Sequence, residues 1–219
     1  MKQRLIVEGK DAIVLAEILK QRGLPPPKGY HIPTKFEKEF IKRADGIKNV
    51  ETVLREQLET PSVERIGVVV DANSVGPIQR FNQLKSFIEA TLKESLSTSA
   101  ALGPKGYHAK VSDKLSIGIW IMPDNQNNGY LEHFISQLVP KDNPIWEFAA
   151  QQVEQFMQQT YCPFSEVKKQ KALVHSYLAL QKKPGLPMGT AVKSKYFLAE
   201  SPAADHFEAW FKTTFELTA

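Results

Sequence analysis

Three uninterrupted apolar runs punctuate the chain: Leu5-Ile6-Val7, Ile66-Gly67-Val68-Val69-Val70 and Ile117-Gly118-Ile119-Trp120-Ile121-Met122. Each hands over to a carboxylate, Glu8, Asp71 and, across Pro123, Asp124. Runs this short, rich in β-branched residues and free of polar alternation predict strands covered on both faces, as in a parallel sheet. Between them the apolar positions change to helical spacing. Val14, Leu15, Ile18 and Leu19 predict a helix over about 11–22 that Gly23 stops. Ile47, Val50, Leu54 and Leu58 predict another over about 47–57. Ile78, Phe81, Leu84, Ile88 and Leu92 predict a third running to about 96, with Pro77 in its first turn.

The intervening segments are less regular. Leu24-Pro25-Pro26-Pro27 reads as a stiff connector, residues 30–43 as one or two extended segments, and Asp45-Gly46 as a turn. Residues 97–114 are polar with small side chains and read as a surface loop. After residue 124 the pattern is helical throughout. Leu131, Phe134, Ile135 and Leu138 mark one helix, and Asn143-Pro144 the start of the next. A helix over 167–182 follows, and Phe207, Trp210, Phe211 and Phe215 form a core stripe in the last one. Strand and helix alternate over the first 140 residues, which predicts the α/β class with a mostly parallel sheet flanked by helices. Residues 141–219 read as a C-terminal helical extension packed on the 1–140 domain.

Composition narrows the class without identifying a function. At 219 residues, 42% hydrophobic and 24% charged, the chain has the make-up of a soluble globular protein. No apolar stretch approaches the ~20 residues that span a bilayer, so no membrane partner is expected. The single Cys162 excludes an internal disulfide and a multi-cysteine zinc site, and it suits a reducing, cytoplasmic location. An N-terminus that enters a strand at once leaves no room for a signal peptide.

Net charge is +4, unevenly spread. Lys168, Lys169, Lys171, Lys182, Lys183, Lys193 and Lys195 face a single acid, Glu166, between residues 165 and 195. Such a segment suits a phosphate backbone, DNA or RNA, although most lysine runs are solvated helix faces. The pentapeptide Pro-Lys-Gly-Tyr-His occurs twice, at 27–31 and 104–108, where it reads as turn chemistry. His175, among Leu173, Val174, Tyr177 and Leu178, reads as a half-buried structural histidine. No Walker loop or dinucleotide glycine fingerprint is present.

The chemistry with most content is acidic. In a parallel sheet the strand ends open onto one crevice, so Glu8, Asp71 and Asp124 are expected to meet there. Clustered carboxylates need a cation between them, and all-oxygen donors suit Mg2+, with Mn2+ as a substitute.

The run Val7-Glu8-Gly9-Lys10-Asp11 and the later Val68-Val69-Val70-Asp71-Ala72-Asn73 resemble the Toprim domain, the catalytic fold of topoisomerases, primases and OLD (overcome lysogenization defect) nucleases. Trp120-Ile121-Met122-Pro123-Asp124-Asn125 and Gly129-Tyr130-Leu131-Glu132 resemble a bacterial and archaeal family of small Toprim-like proteins, largely of unknown function. So do Lys171 to Ala179, Pro184-Gly185-Leu186 and Gly189. The resemblance implies a Toprim-like fold and Mg2+-dependent nuclease activity, with an ABC-type ATPase as a partner of some relatives. It assigns Glu8, Asp71 and Asp124 to metal binding and catalysis, with Asn73 as a further metal ligand. Lys10 becomes a phosphate-facing catalytic residue, and Asp11 and Glu132 additional acids. Lys168, Lys169, Lys171, Lys182 and Lys183 are the phosphate-binding candidates.

Two positions depart from the family pattern. Asn73 stands where an acid is usual, and Ala12 stands four residues after the glutamate, where OLD-type domains place another. Asp11 lies one residue early, which on a helix turns its side chain by ~100°. These departures motivate the alternative of a non-catalytic nucleic-acid-binding or regulatory module that works with a partner ATPase.

Overall fold

The computed structural model describes residues 2–9, 12–24, 40–96 and 101–217. In chain order the elements are β1 (Lys2–Glu8), α1 (Ala12–Gln21), β2 (Ile41–Ala44), α2 (Ile47–Leu58), β3 (Val63–Asp71) and α3 (Pro77–Leu92). Then come β4 (Tyr107–Lys110), β5 (Ser116–Met122), α4 (Leu131–Ser136) and α5 (Pro144–Met157). The chain ends in α6 (Glu166–Ala179), α7 (Met188–Lys193) and α8 (Pro202–Phe215). The five strands form one sheet in the order β2-β1-β3-β5-β4. All neighbours are parallel except β4, which pairs antiparallel with β5 at the edge.

The uninterrupted apolar runs are explained by helices on both faces. Leu5, Val7, Val69, Trp120 and Met122 share a core with residues of α1 and α4–α8. Ile6, Val68, Val70, Ile119 and Ile121 share the opposite core with α2 and α3. The expected aromatic stripe lies in the first of these cores, with Phe207, Trp210, Phe211 and Phe215 at most 1% exposed.

Two glycines let α8 lie close to the sheet. Gly67 and Gly118 are register partners on β3 and β5. A methyl group on Gly118 would fall inside the envelope of Thr214 Oγ1 and 2.8 Å from its Cγ2, and one on Gly67 would lie 2.9 Å from Phe215 Cζ.

Local signals placed several element ends correctly. Gly23, at φ 65°, closes α1 with its N–H and that of Leu24 bonded back to Lys20 and Leu19 carbonyls. Asn143 Oδ1 accepts from the N–H groups of Ile145 and Trp146, with Pro144 at the first helical position.

Other expectations need correction. Residues 97–100 of the expected 97–114 loop lie outside the described residues, and the rest contains β4, whose four residues alternate too briefly to be read as a strand, with Tyr107 and Ala109 buried, His108 half-buried against Thr214 and Lys110 exposed. The helix expected to reach 96 ends at Leu92, and Ile78, in its first turn, is 58% exposed. The helix expected to reach 182 ends at Ala179. No described helix is long and apolar enough to cross a membrane.

Candidate functional site

The topology creates the site. From β1 the chain turns into α1 on one face of the sheet, and from β3, its neighbour, into α3 on the other. Loops that leave adjacent parallel strands in opposite directions open a crevice at their carboxyl ends, the switch point where α/β sheets bind ligands. Glu8 and Asp71 end those two strands and meet there, with Glu8 Oε2 accepting the Asp71 backbone N–H at 3.1 Å. Asp71 is held from behind as well. The buried Arg80 donates from Nε to the Asp71 carbonyl (3.2 Å) and from a terminal nitrogen to Gln83 Oε1 (2.7 Å).

The crevice opens into a cleft of about 1030 Å³. Its sheet side is Glu8, Gly9, Asp45, Gly46, Asp71 and Asn73, and its far wall is α6 from Glu166 to His175 together with the start of α4. Asn73, at φ 50°, exchanges backbone hydrogen bonds with Gly129 (2.6 and 3.2 Å), which clamps the β3–α3 loop to the loop before α4. On α6, Lys168, Lys171 and His175 line the cleft at spacings of three and four residues, one helical face. Lys171 Nζ lies 3.2 Å from Glu132 Oε1 and 5.7 Å from the Tyr130 ring centroid. The Tyr130 hydroxyl donates to the Val167 carbonyl at 2.8 Å, joining the two helices of that wall.

Burial governs the titration of the polar wall. It raises the Tyr130 phenol above its ordinary value, and Glu132 adds to the effect while Lys171 opposes it. It lowers His133, against the pull of Glu132 and Asp124. The His133 ring accepts the Tyr130 backbone N–H on Nδ1 at 3.4 Å, so the neutral ring carries its proton on Nε2.

The expected site residues separate into groups. Glu8, Asp71, Asn73, Glu132, Lys168 and Lys171 line the cleft. Asp124 does not: Oδ1 accepts from the N–H groups of Gln126 and Asn127, and Oδ2 from the Asn127 side-chain amide (2.8 Å). A carboxylate one residue beyond the proline is drawn into capping its own turn. Asn125 completes that turn, accepting from Ile121 N–H at 2.7 Å and donating to the Pro104 carbonyl. Glu132 is only 6% exposed and is ion-paired to Lys171. Lys169 is paired with Glu154 and Glu166, and Lys182 and Lys183 lie outside the cleft beyond the end of α6. Ala12 is buried, at 2% exposure. Among the described residues no group of three or more His, Cys, Asp and Glu is placed to hold a metal ion.

Lys10, Asp11 and the pentapeptide at 27–31 lie outside the described residues. Its second copy is structural. A side chain at Gly106 (φ 73°) would run into Trp210, the Tyr107 ring packs tilted against Phe81 with centroids 4.8 Å apart, and His108 Nδ1 meets Thr214 Oγ1 at 3.2 Å.

Sequence reasoning missed Asp45, His133 and His175 as lining residues and Arg80 as the anchor of Asp71. Asp45 was legible only as half of an Asp-Gly turn. His175, expected to be half-buried, is exposed to the cleft. Its apolar neighbours Leu173, Val174, Tyr177 and Leu178 face the other way, so the spacing of three and four from Lys171 and Lys168 was the usable signal.

A family model described as a protein of unknown function, DUF3226, matches residues 2–216. No curated protein and no solved structure matches the chain.

Proposed function

The chain belongs to the DUF3226 family, and for it we propose hydrolysis of nucleic-acid phosphodiesters, dependent on Mg2+ or Mn2+, in the cleft between the β1 and β3 ends and α6. One observation carries the proposal: two acidic residues that end adjacent parallel strands, tied by the Glu8 carboxylate to the Asp71 N–H, line one cleft at a topological switch point together with a helix face that bears Lys168, Lys171 and His175. The Toprim resemblance of the segments around Glu8 and Asp71 supports the reaction class.

The donor chemistry suits the ion. Glu8, Asp71 and Asn73 offer only oxygen, and Mg2+ is commonly held by one or two carboxylates plus substrate phosphate. Bound there, the ion would polarise the phosphate and lower the pKa of an attacking water. The residues of the chain do the rest. Arg80 fixes the Asp71 backbone, the Glu8 carboxylate is oriented by the Asp71 N–H, and Lys168 and Lys171 meet phosphate oxygens from the far wall.

Incubation of the protein with single-stranded and duplex DNA and RNA, with Mg2+ or Mn2+, tests this. Cleavage should require the cation and be abolished by Glu8→Gln and Asp71→Asn. Cleavage that survives Glu8→Gln, or none by the native protein, refutes it.

A second reading, a non-catalytic module that binds nucleic acid and docks on an ABC-type ATPase, is favoured by the self-capped Asp124 and the buried Ala12. It expects salt-sensitive nucleic-acid binding that survives Asp71→Ala.

A further inference from the structure

We infer that Glu132 is a positioning residue, which holds the Lys171 ammonium at the cleft wall as an anchor for substrate phosphate and takes no part in binding a cation. The inference rests on the reading of the cleft as a phosphate site. Its basis is the asymmetry of the pair: the Glu132 side chain is 6% exposed and that of Lys171 is 49% exposed, at an Nζ–Oε1 distance of 3.2 Å.

An ammonium has three N–H donors and no acceptor. This one is ion-paired with a carboxylate inside the wall, and its exposed part is left to the cleft that a phosphate would enter. Lys169, one helical position from a shared face, shows the contrast. Its partners Glu154 and Glu166 are 54% and 75% exposed, the arrangement of a solvated surface pair. The buried carboxylate, for its part, needs its cation, because an uncompensated charge inside a protein is expensive.

The wall around the pair is braced. Tyr130 sets its ring 5.7 Å from the ammonium and bonds through its hydroxyl to the Val167 carbonyl, one turn before Lys171. Glu132 lies in the first turn of α4 and is thereby fixed relative to α6. A long flexible lysine is thus held at one point before substrate arrives, which lowers the entropy lost on binding.

The test measures affinity for a fluorescein-labelled single-stranded oligonucleotide, in DNA and RNA forms, with Ca2+ replacing Mg2+ so that binding is read without turnover. Glu132→Gln should weaken binding about tenfold, the worth of one charge-assisted hydrogen bond. Lys171→Gln should weaken it at least as much, and Lys171→Arg should retain it. The double variant Glu132→Gln/Lys171→Gln should bind no more weakly than Lys171→Gln alone, because Glu132 acts only through the lysine. Titration with Mn2+ should give the same affinity for Glu132→Gln as for the native protein.

Native-like oligonucleotide binding by Glu132→Gln, full additivity in the double variant, or a loss of Mn2+ affinity overturns the inference. So does native protein that fails to bind the oligonucleotide. Should Glu132→Gln not fold, Glu132→Asp, which shortens the reach of the carboxylate, takes its place in the same cycle. Absence of cleavage together with the expected affinity pattern refutes the proposed reaction and leaves the positioning role standing. Cleavage with Glu132→Gln indistinguishable from native does the reverse.

Discussion

Gly118→Ala tests the packing that closes the molecule over its sheet. The added methyl would overlap Thr214 Oγ1 and come within 2.8 Å of Cγ2 and 3.0 Å of Cβ, on a residue 3% exposed. Thr214 cannot swing away freely, since Oγ1 meets His108 Nδ1 at 3.2 Å and the next residue, Phe215, lies against Gly67. Overpacking of this kind costs about 1–3 kcal/mol. Replacing glycine with alanine returns about 0.4–1 kcal/mol through the unfolded chain. The net expectation is a loss of about 1–2 kcal/mol. Urea unfolding followed by tryptophan fluorescence reads it directly, because Trp120 and Trp210 both lie in the affected core. The second arm is Thr214→Ala, which alone forfeits about 1 kcal/mol with the lost hydrogen bond. In the Gly118→Ala background it removes the two clashing atoms and should restore stability. Coupling in that direction of at least ~1 kcal/mol is expected. Unchanged stability of Gly118→Ala, or strict additivity in the double variant, would refute the close approach of α8 to β5.

Asn143→Ala removes the acceptor for two N–H groups of α5 and should cost ~1 kcal/mol in chemical denaturation. Asp124→Ala should destabilise the protein by ~1–2 kcal/mol through three lost turn contacts, while Asp124→Asn keeps any cation-dependent cleavage within roughly threefold of native. A cleavage loss of ~100-fold in Asp124→Asn would add that carboxylate to the proposed metal ligands. Burial lowers His108 below its ordinary value, so the unfolded chain binds the proton more tightly than the folded one. Stability should therefore be complete above pH ~6.5 and fall as the pH drops through and below that value. Measured from pH 8 to pH 5, His108→Asn should make this limb shallower, with the rest left to His133, which burial lowers as well; an unchanged slope removes His108 as a source.

What the sequence revealed depended on how many residues carried each signal. The strands β1, β3 and β5 were legible because both faces are buried, and the long apolar runs leave no competing period. β4 was invisible because four residues, two of them polar, offer too little pattern, and its strand state is imposed by pairing with β5 and by Trp210 against Gly106. At the site, Glu8 and Asp71 were legible for a topological reason: any residue that ends adjacent parallel strands on either side of a switch point must meet its counterpart. Asp124 satisfies the same pattern yet lies outside the cleft lining, since the pattern fixes where the backbone ends and leaves the side chain free to bond to its own turn. The lysines divided likewise. Lys168 and Lys171 share a helical face with His175, whereas Lys169 is rotated toward Glu154, a difference of ~100° per residue that charge counting ignores.

The charge of the cleft bears on the choice between the two functional readings. Its described lining carries Glu8, Asp45, Asp71, Glu132 and Glu166 against Lys168 and Lys171. Glu132 and Lys171 neutralise each other, so the four remaining carboxylates outweigh Lys168 and repel a phosphate, and at an effective dielectric near 20 a single pair of unit charges 4 Å apart is worth ~4 kcal/mol. A divalent cation held there would neutralise Glu8 and Asp71 on the sheet side, while Lys171 would serve the far wall. Cation and nucleic acid should then bind cooperatively, and linkage requires that each raise the affinity of the other by the same factor. A catalytic cleft predicts oligonucleotide binding that strengthens at least tenfold when Ca2+ is added, and Ca2+ binding that strengthens equally with oligonucleotide. A docking module that touches nucleic acid elsewhere on its surface predicts no coupling. Measured independence of the two ligands would therefore place the phosphate contacts outside the cleft and decide for the second reading.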